Sequence, residues 1–110
     1  MLSASQLRHV LEVRVRPNIA TGRHGGKKDA WVMENVVRAS IEPLTGRELL
    51  NAQQTEARVS HRIRTFWFPD MSPDKRLRLR PGGRVFRPST IINVGEQDRE
   101  FEILATEKPD

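Results

Sequence analysis

Apolar and polar residues alternate with a period of two over most of this chain. In "HVLEVRVR", residues 9–16, His9, Leu11, Val13 and Val15 share one side, and Val10, Glu12, Arg14 and Arg16 share the other. Such alternation, rich in β-branched side chains, predicts a half-buried strand. "AWVMENVVRASIEPL" repeats it, with Trp31, Met33, Val37, Ala39 and Ile41 on one parity. Asn35 falls on that apolar parity and points to a bulge near Glu34–Asn35. "RVSHRIRTFWF" places Val59, His61, Ile63, Thr65 and Trp67 on one face, and "KRLRLR" turns Leu77 and Leu79 inward against Arg76, Arg78 and Arg80. "RVFRPSTIINV" follows, bent at Pro88, and "REFEILATE" closes the series with Phe101, Ile103 and Ala105.

The punctuation between these runs is that of turns. "PGG" at 81–83 is a hairpin signal, and "PDMSPD" and "GEQD" mark two further reversals. Residues 17–29, "PNIATGRHGGKKD", form a loop long for a hairpin, and loops of that length are usually functional or mobile. Residues 1–7 read as a loose lead and "KPD" as a frayed end. The sum is a mainly β chain: a small six-stranded antiparallel barrel or sandwich.

One segment breaks the rhythm. Thr45 and Glu48 in "PLTGRELLNAQQTEA" match a capping box, and Leu44 and Leu49 occupy the positions of a hydrophobic staple. These signals predict one inserted helix over about 46–56. Its apolar side is only Leu49, Leu50 and Ala52. A helix sunk in a core needs an apolar stripe about 100° wide. This one should rest on the barrel by Leu49 or Leu50 and turn Arg47, Asn51, Gln53, Gln54 and Glu56 outward. That face is either a solvated cap over one barrel end or a surface that meets a neighbouring subunit.

Length and composition bound the rest. The 110 residues favour one domain, 1–110, burying roughly two-thirds of its unfolded surface. There is no Cys, which removes disulfides and thiolate metal sites. No stretch nears the roughly 20 apolar residues of a membrane span, and the first residues lack the apolar core of a signal peptide. Synthesis and use in the cytoplasm, or in something assembled there, is the expectation. The charge is basic, 19 Lys and Arg against 14 Asp and Glu. That balance admits nucleic acid, acidic protein or anionic membrane without choosing among them.

Catalytic chemistry finds no foothold. His9, His24 and His61 lack metal-ligand spacing. His9 and His61 lie on strand faces, where a hydrogen-bonded structural role is expected, and His24 lies in the loop. No Ser sits in a G-x-S-x-G elbow. "GRHGGKK" fails the P-loop spacing. No enzyme activity, cofactor or metal is expected. The basic residues bear on nucleic acid more directly. Arg76, Arg78, Arg80, Arg84 and Arg87 cluster across one predicted hairpin and could follow phosphates. A single-strand binder also needs stacking aromatics, and that hairpin offers only Phe86. A nucleic-acid-binding barrel of OB type therefore stands as the alternative reading, beside an Arg-rich face paired with neighbouring carboxylates.

Three phrases carry a resemblance: "LRHVLEVRV", "WVMENVVRASIEPLTGRELLNAQQTEARVSHRIRTFW" and "GRVFRPSTIINVGEQDREFEILATE". The middle one combines Ala39, Pro43, Leu44, Gly46, Arg47, Glu48, Gln53, His61 and Arg62 in order. Over roughly residues 6–107 the chain resembles the head–tail joining (head closure, or connector) proteins of long-tailed bacteriophages. It departs at 17–29, richer in Gly and Lys, and at "FWFPDMSPDKRLRLR", more aromatic and basic.

The resemblance implies a structural virion protein, made in the host bacterial cytoplasm and built into the neck. Its copies would form a homo-oligomeric ring, six- or twelve-fold, between a portal or adaptor protein above and a tail-terminator or tail protein below. Packaged double-stranded DNA would pass through the channel. Ring contacts are heterologous, one face against a different face. Arg47, Glu48, Asn51, Gln53, Gln54, Arg62 and Arg64 are the candidate interface residues. Arg23, Lys27, Lys28, Arg76, Arg78 and Arg80 are the candidate basic residues for the channel or an interface. The loop at 17–29 is expected to become ordered, or to line the channel, on assembly.

Overall fold

A computed structural model describes residues 2–16, 31–55 and 58–108. Six strands run β1 (His9–Val15), β2 (Val32–Pro43), β3 (His61–Phe66), β4 (Arg76–Arg80), β5 (Val85–Asn93) and β6 (Glu100–Lys108), with one helix, α1 (Gly46–Thr55), between β2 and β3. They close into a barrel in the order β1-β2-β3-β6-β5-β4, every neighbouring pair antiparallel. The OB barrel has five strands; this one has six.

The inward parity of each strand supplies the core. Leu11 and Val13 of β1, Ala39 of β2, Ile63 of β3, Leu77 of β4, Phe86 of β5 and Ile103 and Ala105 of β6 are fully buried. Phe68 and Phe101 join them with rings edge to face, 5.3 Å between centroids. Each of these Leu, Val, Ile and Phe side chains stabilises the fold by roughly 1.5–3 kcal/mol relative to exposure.

Two irregularities expected from the sequence are present. Val13 pairs with Asn35 and Arg14 with Met33, which leaves Glu34 as the extra residue of a bulge in β2. In β5, Pro88 pairs with Ala105 and Thr90 with Leu104, so Ser89 is extra beside a residue with no N–H for the ladder. The β4–β5 turn is built on Gly82 and Gly83, both at positive φ, and the Gly83 N–H donates to the Leu79 carbonyl at 3.0 Å.

The N-terminal lead differs from expectation. Leu2 and Leu7 are buried, and residues Ala4–Gln6 form a 3₁₀ turn closed by the Ser3 N–H donating to Gln6 Oε1 at 2.9 Å. The Leu2 N–H also donates to the Glu100 carboxylate. Two leucines spaced by a turn are enough to dock a short polar segment. The start of α1 differs as well. Gly46 sits at φ +57°, so the chain enters the helix through a left-handed residue, and the Glu48 carboxylate accepts from Arg62 of β3.

Candidate assembly and anion-contact surfaces

No residue of α1 is buried. The helix hangs from buried Leu44 and half-buried Leu49, while Leu50 is 65% exposed. Its polar face divides in two. Glu48 pairs with Arg62, and Gln53 Nε2 donates to the Val59 carbonyl at 3.3 Å, so both hold the helix to its own barrel. Arg47, Asn51 and Gln54 are exposed. Arg62 lies between Glu48 and Glu102, the latter at 3.7 Å; its Nε is buried without a hydrogen bond. The Glu48 bond is the main cause that raises the Arg62 pKa above its ordinary value. Arg64 stands 3.7 Å from the same Glu102.

His61 faces inward beside this pair. Its ring meets Phe86 edge-on at 5.3 Å, and Nδ1 lies 2.8 Å from the Ser60 hydroxyl. Burial lowers its pKa, partly offset by Glu107.

The β4 arginines share an outer face, but their surroundings differ. Pairing of β1 with β4 brings Glu12 beside them. Arg14 donates to Glu12 at 2.6 Å, Arg80 at 2.5 Å, and Arg78 lies at 3.6 Å. One buried carboxylate thus serves three guanidinium groups, and the bonds from Arg80 and Arg14 hold its pKa below the usual carboxylate range. Arg76 points elsewhere. Its guanidinium lies over the Trp31 ring at 4.9 Å, and Arg16 lies over the same ring at 4.7 Å. Burial lowers the Arg76 pKa, with Arg87 and Arg16 adding to the effect. Arg14, Arg16, Trp31, Arg76, Arg78 and Lys108 wall a hollow of about 630 Å³. Arg23, Lys27, Lys28 and His24, with the rest of the 17–29 loop, lie outside the described residues.

Trp31 and Arg16 were not among the sequence candidates. The signal was available, since both flank the β1–β2 loop and hairpin arms are neighbours at their ends. What joins them to Arg76 is the closure of β1 on β4, and no local pattern encodes that.

A third surface is apolar. The outer half of β2 pairs with β1 alone over Val32–Arg38, and no other described strand takes its second edge. Val32, Met33 and Val36 are exposed there, at 44%, 51% and 41%. Among the described residues no group of three His, Cys, Asp or Glu could hold a metal, and no helix is long and apolar enough to cross a membrane.

A family model described as "Phage head completion protein" matches residues 2–108. Among solved structures, the solution structure of protein SF1141 from Shigella flexneri 2a aligns at a TM-score of 0.72 and 18% identity, covering 99% of each chain. At that identity the likeness speaks for the fold alone. No curated protein matches the chain.

Proposed function

The chain belongs to the phage head completion protein family, and we propose that its copies form a ring between head and tail, around the channel through which DNA leaves. Membership gives a structural part in closing the phage head. The ring, its place in the neck and its partners are our reading. Portal or adaptor protein would lie on one side, tail-terminator or tail protein on the other, and double-stranded DNA inside.

The outer half of β2 carries this reading. Among the described residues the second edge of β2 over Val32–Arg38 is unpaired and carries three exposed apolar residues beside exposed Glu34 and Arg38, and such an edge is a template for another chain. We assign it to the next copy. The exposed side of α1, at the far end of β2, is an unlike surface and suits the second half of a heterologous contact. Pro43 lies seven residues from Val36, roughly 23 Å at the rise of a strand. A ring needs two such different faces on each copy.

Sedimentation velocity of the purified chain and of Val36→Glu tests this. The native chain should reach a discrete large species as concentration rises, and the variant should remain small with an unchanged thermal melt. Equal assembly of the two would remove the β2 edge from the interface.

A further inference from the structure

We propose that the hollow between Arg16, Trp31, Arg76 and Lys108 is a phosphate site for the backbone of double-stranded DNA. Its chemistry is that of an oxyanion site. Among the described residues five cationic side chains wall it, and no carboxylate does. Arg14 and Arg78 share Glu12 with Arg80, so that single charge is already divided three ways. Arg16, Arg76 and Lys108 add charge for which the described wall supplies no counterion; Asp74, outside it, acts on Arg76 in one sense, and Arg87 and Arg16 in the other.

Trp31 gives the site its order. The Arg14 Nη2 donates to the Trp31 carbonyl at 2.9 Å, which fixes the residue from below. Arg16 and Arg76 then lie over its ring. Stacking of this kind holds a guanidinium by its face and leaves its N–H edge for a ligand. Arg76 is steadied further by donating to the Lys75 carbonyl at 3.0 Å. With two cations over the ring, Trp31 is not an open platform for an unpaired base. That favours duplex backbone over single strands, which bind by stacking.

The spread of the cations favours DNA over an acidic protein segment. They come from β1, β4 and β6, with β5 between the last two. Four adjacent strands are about 14 Å wide at about 4.8 Å each. Duplex DNA carries one negative charge per about 1.7 Å of axis, so several phosphates fall within that width. One or two side-chain carboxylates would leave most of the cations unmatched. The proposal rests on the head-closure reading only for the presence of DNA beside the protein.

Fluorescence anisotropy with a labelled mixed-sequence duplex of about 20 base pairs, titrated between about 50 and 200 mM salt, tests it. The plot of log K against log salt should be linear, and Arg16→Ala and Arg76→Ala should each lower its slope by about 0.9. Arg84→Ala, which removes a cation bonded to Glu107 outside the hollow, should leave the slope unchanged. A thermal melt of each variant confirms folding. Slopes unaltered by R16A and R76A would overturn the proposal. So would absence of DNA binding at the lowest salt, and so would binding of a poly-glutamate peptide in preference to DNA. Sedimentation on the same samples separates the two ideas. Variant-sensitive DNA binding without rings keeps the phosphate site and removes the ring. Rings that do not bind DNA do the reverse.

Discussion

Glu12 is the residue at which local pattern and tertiary closure part. By alternation it is one more outward polar position on β1. In the barrel it is buried under Arg14, Arg78 and Arg80, because β4 lies alongside β1. A charge so placed is stabilised by its hydrogen bonds more than it is penalised by burial, and its pKa falls. A carboxyl with a depressed folded pKa stabilises the fold above its unfolded value of 4.5 and loses that contribution as pH drops toward the folded value. Glu12→Gln should therefore be less stable than the native chain in urea at neutral pH, and the gap should narrow below about pH 4. A gap of equal size at both pH values would show that Glu12 acts through packing and not through charge. Trp31 teaches the same lesson in the other direction. It was legible as a strand-opening aromatic, while its place over two arginines depended on a strand from the far half of the chain.

At the scale of elements the sequence was close to transparent. Alternation located all six strands, Asn35 marked the bulge in β2, and the bend expected at Pro88 falls at a bulge in β5. These features are local: each follows from side-chain parity or a missing N–H. The helix span was equally legible, about 46–56 from the sequence against Gly46–Thr55 in the structure. Its entry was not. The capping-box pattern predicted a Thr45–Glu48 exchange, yet Glu48 turns to Arg62, a partner on another element. Gly46 makes the turn instead, at φ +57° with nothing within 4 Å of where a Cβ would stand. Gly46→Ala therefore meets no clash and pays only the left-handed conformation, a loss of about 1–2 kcal/mol in chemical denaturation. A gain in stability would contradict that entry geometry. The lead at residues 2–7 was misread as loose for a related reason: burial of Leu2 and Leu7 requires a surface that only the finished barrel presents.

As a whole molecule the chain is a closed barrel whose described residues leave three outer surfaces without a partner: the apolar edge of β2, the Arg47, Asn51 and Gln54 side of α1 and the cationic hollow at Trp31. A six-stranded core of this size needs none of them. Membership of the phage head completion protein family gives a structural part in closing the phage head, and the ring proposed above would bring copies, neighbours and DNA to these surfaces. The division of the polar residues between contacts inside the chain and free surface was legible only in part. Of the seven interface candidates drawn from outward polarity and the resemblance, Glu48, Arg62 and Gln53 are engaged within the chain. Polarity marks a surface without telling whether its partner is the same molecule. The most direct measurement is electron microscopy of the purified chain mixed with DNA-filled heads that carry a portal but no tail. A closed ring of density, open at its centre and seated on the portal axis, is the predicted result. Heads with a bare portal beside free monomers would contradict it.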